Sequence, residues 1–406
     1  MQGLRIRVAV VALTMGAVLL AAACGSSSKT PAAGTTTSSP SSSTVNLTVA
    51  SFTADFSAMA QLKSVAAKGS GLIGVLLPDT TSSARYESYD RPYLEQAFKA
   101  AGLSSADFKI DNAQGSATTM QTQADADITN GASVLLIDAL DSGSGAAIEA
   151  SAKAKGVAVI DYDRLTLGGP ADRYYVSFDN VNVGKFIGQG EIDCITAWNV
   201  KKPNILLLDG AATDNNAKLF AQGYNSVLAP KFADGSYVKV GEPAGTWTPA
   251  VTATNFTQQF TAHKNINAVV TANDDNANAV IAQLQGQFQI PPKTFPTTGQ
   301  DASPVGLQNI LKGYQCGTVY KPITAEAQAA ATVAIYLRAG EKPPSALLNG
   351  TTKDDQANTQ VTSVLLVPKW VTTANMESTV IKDKWIKASD LCVSAVASAC
   401  TAAGIK

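Results

Sequence analysis

Short apolar runs alternate with helix-period stretches along most of the chain, and nearly every apolar run stops at a cluster of polar residues. The run at residues 72–77 (LIGVLL), that at 133–137 (SVLLI) and that at 157–160 (VAVI) are continuous and rich in branched side chains. Such runs predict strands of a parallel sheet, which is covered on both faces. Shorter strands fall near Phe108 to Ile110 and at 174–178, with helices over about 91–101, 117–130, 146–155 and from Gly184 to Trp198. The rhythm then restarts, with strands at 204–208, 237–240, 268–271, 294–298 and 317–320 and helices at 217–228, 250–262, 277–285 and 304–311. Strict strand-helix alternation is the mark of a right-handed parallel α/β sheet. Two successive sets of about five strands imply two similar α/β domains with a cleft between them, because one sheet of that width would be unusual. Ahead of the first strand, Phe56, Met59, Ala60, Leu62 and Val65 fit a short amphipathic helix within 52–68, closed by Gly69 and bracing the domain.

The strand ends carry the candidate chemistry, since ligands of parallel sheets bind at the carboxyl ends of strands. Residues 157–164 end in Asp163 and Arg164, a carboxylate acceptor beside a guanidinium donor. Such a pair can hold neighbouring hydroxyls of a neutral polyol, and equally can be a surface ion pair. The first strand runs into a polar loop, 78–83, followed by Arg85 and Tyr86. In the second set, Asp214, Asn216, Asn273 and Asp301 stand where helices begin, which also suits them as helix caps. All lie at one end of one sheet, and with Lys321 they complete a ring of hydrogen-bonding groups. Trp247 sits in the loop Gly245 to Pro249 and offers an aromatic plate for the C–H face of a sugar ring, or simply a surface contact.

Composition narrows the classes. The 406 residues are 45% hydrophobic and 16% charged with a net charge of -1, so no basic footprint for nucleic acid exists. A single histidine, His263, leaves little for triads, acid-base pairs or zinc sites. The first residues, 1–23, have the basic start and short apolar core of an export signal, too short to span a bilayer. Leu20 to Cys24 is similar to the lipoprotein box, with Leu20 one place further from the cysteine than usual, and marks Cys24 for lipidation. A tether over 24–52 follows, nearly all Ser, Thr, Ala, Pro and Gly up to Thr44. Export makes Cys194, Cys316, Cys392 and Cys400 disulfide candidates whose connectivity sequence leaves open, with Cys392 and Cys400 close enough to staple the tail.

Several motifs taken in order resemble the D-xylose-binding branch of the type I periplasmic binding proteins, the ribose and galactose-binding group that serves bacterial ABC importers. They are Tyr162-Asp163-Arg164, Ser177 to Asn180, Asp214 to Phe220, Gly299 to Ala302 and Val319 to Thr324, within a span of about residues 71–384. The first loop departs from the pattern around Pro78 and 80–84, one residue is inserted near Tyr89, and the segment before Gly71 and the cysteine-bearing tail lie outside it. The resemblance implies an α/β fold of two doubly wound parallel-sheet lobes joined by a three-segment hinge. The lobes would be 71–178 with 322–352 and 179–321 with 353–388, the tail 389–406, and the crossings near Asp179, near Lys321 to Pro322 and around Gly350 to Gln360.

It further implies that Arg85, Tyr86, Asp163 and Arg164 from one lobe and Asp214, Asn216, Trp247, Asn273 and Asp301 from the other contact a monosaccharide, most readily D-xylose, with Lys321 at the crossover. The expectation is a monomeric, non-enzymatic, lipid-anchored solute-binding protein, without cofactor or metal, that hands its sugar to an ABC permease at the outer face of the cell membrane. Its rivals are a receptor feeding a sensor kinase, a binder of ribose, arabinose or glucose, a sugar-responsive repressor and a glycosidase. A repressor needs an N-terminal helix-turn-helix where this chain has an export signal. A glycosidase needs a carboxylate pair such as Asp163 with Asp301 flanking a glycosidic bond.

Overall fold

The computed structural model describes residues 45–406. The export signal, Cys24 and the tether as far as Thr44 lie outside the described residues. The tether expected to continue to residue 52 does not: Leu47 and Phe52 are buried and Val49–Ser51 forms a 3-10 turn. The two apolar side chains find a core, which holds the backbone between them.

The expected brace helix is also different in kind. Phe56 lies at φ 59°, and a 3-10 turn, Ser57–Leu62, leads into a single α-helical turn, α1 (Lys63–Ala66). Phe56, Met59, Leu62 and Val65 recur every third residue, and all are buried. A period of three is the 3-10 period, which explains the tighter winding.

In chain order the first half runs β1 (Leu72–Leu77), α2 (Arg91–Ala100), β2 (Phe108–Asn112), α3 (Ala117–Thr129), β3 (Ala132–Ile137), α4 (Ser142–Ala154), β4 (Ala158–Tyr162) and β5 (Tyr174–Phe178). The second comprises α5 (Asn180–Ala197), β6 (Asn204–Leu208), α6 (Asn215–Ala233), β7 (Val238–Gly241), α7 (Pro249–Ala262), β8 (Ala268–Thr271), α8 (Asp274–Gly286), α9 (Pro304–Lys312) and β9 (Thr318–Tyr320). The chain then adds α10 (Ile323–Arg338), β10 (Gly350–Asp354), β11 (Thr359–Leu366) and β12 (Lys369–Val371). The large sheet has the order β10-β11-β5-β4-β3-β1-β2, parallel throughout except for β10. Its inner strands are buried along almost their whole length, as the continuous apolar runs require. Helix α10 is buried almost end to end against this sheet and carries the brace: Gln328 Nε2 donates to the Thr53 carbonyl at 2.8 Å and Arg338 Nη1 to that of Ala66 at 3.3 Å.

Two expectations about the second half change. The strand expected at 294–298 is reduced to a single bridge between Thr297 and Val269, since Pro296 has no N–H to continue a ladder. Three strands, β7-β6-β8, therefore form the sheet proper, while β9 is bridged to Gln300 and paired to β12. The third crossing also moves. Both β10 and β11 belong to the large sheet, where β11 extends the edge left by β5, so residues 353–366 go with the first half. Val361, Val364 and Leu366 are buried there, and the chain changes halves between Leu366 and Lys369. Among the described residues no helix is long and apolar enough to cross a membrane.

Helices α5 and α6 cross at contact distance. A Cβ on Gly184 would lie 2.1 Å from the Phe220 carbonyl oxygen, so only glycine allows the approach. Disulfides join Cys194 of α5 to Cys316, 122 residues on, and Cys392 to Cys400, 8 residues on. By chain entropy the long loop contributes about 5 kcal/mol and the short one about half that. Replacing Cys194 and Cys316 by serine should therefore lower the urea midpoint by roughly twice as much as replacing Cys392 and Cys400; equal shifts would contradict the loop-length account.

Candidate functional site

The site begins with one buried carboxylate. Asp163 follows the end of β4 at φ 56°, a left-handed geometry that costs a non-glycine residue strain. Its backbone is held by four bonds. The Asp163 N–H donates to the Val176 carbonyl at 3.0 Å, and its carbonyl accepts from Tyr175 Oη at 2.9 Å, Ser177 Oγ at 2.7 Å and Asn216 Nδ2 at 2.9 Å. The side chain is thereby aimed at Arg85 Nη1 and Tyr86 Oη, each 3.1 Å away, and at Lys321 Nζ, 3.4 Å away.

The loop after β1 brings the first of these partners. Asp79 accepts from the N–H groups of Thr81 and Ser82, each at 2.7 Å, and this turn places Ser82 and Ser83 at the cleft. Arg85 is shared by three carboxylates, at 3.1 Å from Asp163, 2.7 Å from Asp90 and 2.8 Å from Glu326. Arg164 does not take Asp163 as its side-chain partner, contrary to the picture of a self-contained Asp-Arg pair. Its guanidinium donates to Ser82 Oγ at 3.0 Å and Tyr86 Oη at 3.1 Å, and lies 3.4 Å from Asp214 and 3.5 Å from Asp138.

The opposite wall is built from helix starts. Asp214 caps α6 through the Asn216 N–H at 2.8 Å while its Oδ2 accepts from Trp247 Nε1 at 3.0 Å. The indole packs against Gly210, where a Cβ would come within 2.1 Å of its ring. Asn273 caps α8 through the Asn276 N–H at 2.9 Å and reaches across to the Ser82 carbonyl at 3.1 Å. Asp301, at φ 96°, accepts from Ser83 Oγ at 3.3 Å and lies 3.4 Å from Lys321. At Asp214 and Asn273 capping and cleft-lining are thus done by the same side chain, whereas α9 is capped by Ser303 through the Gly306 N–H and Asp301, expected as a cap, only lines the cleft.

Arg85, Tyr86, Asp163, Arg164, Asp214, Asn216, Trp247, Asn273, Asp301 and Lys321 all line this one cleft, and His263 lies outside it, exposed at the end of α7. Ser82, Ser83, Phe220 and Gln300 line it too. The serines lie in the loop already marked as ligand-facing, and Gln300 precedes Asp301. Phe220 sits on an apolar helix face, where its spacing reads as core. The cavity is about 20 Å³, little more than the room for one water, and the Ser83–Asp301 and Asn273–Ser82 bonds run across it. Among the described residues no cluster of three or more His, Cys, Asp or Glu is arranged to hold a metal ion.

Charge sets the character of the cleft. Burial pushes the Asp163 carboxyl up, but the Arg85, Lys321 and Arg164 cations outweigh it and hold the group well below the usual carboxylate range. Burial likewise opposes the Lys321 charge, and Asp163 and Asp301 restore it. Beneath Asp301, Asp274 accepts from the Ser303 N–H at 2.7 Å, Gln315 Nε2 at 2.8 Å and Thr318 Oγ1 at 2.9 Å. Burial nevertheless pushes its carboxyl up to about 7. The cleft therefore offers fixed donors and acceptors to a neutral polyhydroxylated ligand.

The family described as periplasmic binding protein domain matches residues 73–342. The D-xylose-binding periplasmic protein of Escherichia coli K12 is 35% identical over 296 residues, 72% of this chain and 85% of that protein. A multiple sugar-binding periplasmic protein of Azospirillum brasilense is 29% identical, covering 82% of this chain and 96% of the relative. Among solved structures, a carbohydrate transporter solute-binding protein from Chloroflexus aurantiacus in complex with D-glucose superposes with a TM-score of 0.70 at 26% identity, covering 79% of this chain and 98% of the other. These relatives are solute-binding proteins and not enzymes.

The Asp274 carboxyl also fixes a pH dependence. An unfolded aspartate loses its proton near pH 4, and the native one keeps it to about 7. Between those values the native state binds the extra proton, so this group's contribution is full below pH 4 and is lost as pH rises to 7. Urea unfolding of Asp274→Asn should show a shallower fall in stability across that window than the parent; parallel profiles would remove Asp274 as the source.

Proposed function

The chain belongs to the periplasmic binding protein family, and on that premise we propose that it binds a monosaccharide, D-xylose foremost, in the cleft between its halves and delivers it to an ABC permease. In this reading it acts as a monomer outside the cell, held to the outer face of the membrane by a lipid on Cys24. The observation that carries the proposal is the buried, ionised Asp163 encircled by Arg85, Tyr86 and Lys321 at the floor of a cleft walled by donors and acceptors from both halves.

Sugar hydroxyls both donate and accept, so each can replace a bond that now runs across the cleft, such as Ser83 to Asp301 or Asn273 to the Ser82 carbonyl. Trp247 and Phe220 supply apolar surface for the C–H groups. A ligand that bonds both walls at once stabilises the closed arrangement by that difference in contacts alone, and a permease can read the closed shape. The multiple sugar-binding relative and the glucose-bound neighbour support a second reading in which the cargo is another aldose.

Calorimetric titration with D-xylose, D-ribose, L-arabinose, D-glucose and D-galactose separates these readings. Strongest heat with D-xylose is expected, strongest heat with D-glucose would shift the cargo, and no heat with any aldose would end the sugar reading. Asp163→Ala should cost on the order of 2 kcal/mol or more of binding, about thirtyfold in affinity, because three polar partners lose their acceptor. His263→Ala should leave affinity unchanged. Cys24→Ser should release the protein from the membrane fraction into the soluble one; retention would exclude the lipid anchor.

A further inference from the structure

Two consecutive residues, Gln300 and Asp301, both line the cleft. In an extended strand successive side chains point to opposite faces. Here Asp301 at φ 96° and Ala302 at φ 51° take the chain out of the extended geometry immediately after Gln300, so the second side chain turns to the same side as the first.

The backbone around this turn is fixed on both flanks. The Gln300 carbonyl accepts from the Asp274 N–H at 2.9 Å, the Asp301 N–H donates to the Val319 carbonyl at 2.9 Å, and the Ala302 N–H donates to Thr318 Oγ1 at 3.1 Å. The Gln300 side chain is therefore presented from a rigid support. It is 3% exposed, and its Oε1 is buried with no hydrogen-bond partner among the described residues.

Among the cleft side chains, Asp301 Oδ1 is likewise buried without a hydrogen bond, 3.4 Å from Lys321 Nζ, while the others have their partners. Asp163 is bonded by Arg85, Tyr86 and Lys321, Asp214 by Trp247, Asn273 by Ser82, and Arg164 by Ser82 and Tyr86. Buried amides are mostly paired; Gln123, Asn180, Gln315 and Gln328 also have a bare oxygen, but of these amides Gln300 is the one that lines the cleft, where a ligand can complete the bond.

We propose that Gln300 is a direct and specificity-determining contact for one hydroxyl of the bound sugar. The inference rests on the sugar-binding reading above and adds to it a residue with a defined chemical role. A hydroxyl donates and accepts, so it satisfies whichever end of the amide faces it. Because Asp301 is the next residue and faces the same way, the two side chains can take adjacent hydroxyls on one edge of the ring. A sugar lacking the hydroxyl at Gln300 leaves the amide unpaired.

The test uses the full exported protein, titrated with the aldose of largest heat, D-xylose expected, and with its 2-, 3- and 4-deoxy derivatives. Gln300→Met keeps the length and removes the amide, and should weaken binding of the parent sugar on the order of tenfold. For one deoxy derivative, the one lacking the contacted hydroxyl, the parent protein and the variant should bind alike. Unchanged affinity in Gln300→Met would overturn the proposal while leaving the sugar reading intact. So would an equal loss for the parent sugar and every deoxy derivative, which is the signature of a packing role. Should Gln300→Met fail to fold, Gln300→Leu, which also removes the amide, gives the same comparison across the deoxy series. A parent protein that binds none of the sugars removes the sugar reading and this contact together.

Discussion

A carboxylate removed from water is stable only if positive charge and hydrogen-bond donors replace the water, and Asp163 shows how much of a fold that requirement can organise. Its partners come from the loop after β1 (Arg85), the turn that follows it (Tyr86) and the end of β9 (Lys321). Its own carbonyl ties β5 and α6 to the same point through Tyr175, Ser177 and Asn216. Arg85 must in turn serve Asp90 and Glu326, and burial drives the Glu326 carboxyl well above its usual range despite that guanidinium. The network thus extends into α10, behind the cleft. A left-handed backbone at Asp163 is tolerated because so many bonds over-determine it.

The same economy governs the second wall. Asp214 and Asn273 satisfy helix N-termini with one atom and turn a second to the cleft, where Trp247 donates to the one and the Ser82 carbonyl accepts from the other. A cap residue is rigid because its side chain is tied to its own helix, and a rigid polar group loses little entropy on meeting a ligand. Strand ends followed by helix starts therefore suit the recognition of a neutral, hydroxyl-rich molecule without loops built for the purpose.

What the sequence disclosed follows from which signals are local. Continuous apolar runs located the strands of the large sheet, and polar residues at strand ends located Asp163, Asp214, Asn273 and Asp301. The partner of Arg164 was not legible, because which carboxylate it meets depends on the approach of β3 and α6 and not on its neighbour in the chain. Phe220 hid in a helix face whose periodicity is that of core. The brace winds tighter than an amphipathic α-helix because its apolar residues recur every three, and residues 353–366 join the first half because strand addition at the edge of β5 is a long-range choice that local pattern does not show. Pro296 was the one visible warning that the strand near 294–298 would not form a ladder.

The brace has a mechanical consequence. Residues 45–69 run from the point where the described chain begins and are fastened to α10 through Thr53, Met59 and Ala66. Helix α10 is buried against the seven-stranded sheet, so a force applied at Val45 passes into that sheet by way of the helix. The second half is joined to the first through three short crossings and stiffened by the Cys194–Cys316 bridge. In the proposed lipid-anchored reading, a pull at Val45 loads the first half directly and bypasses the cleft.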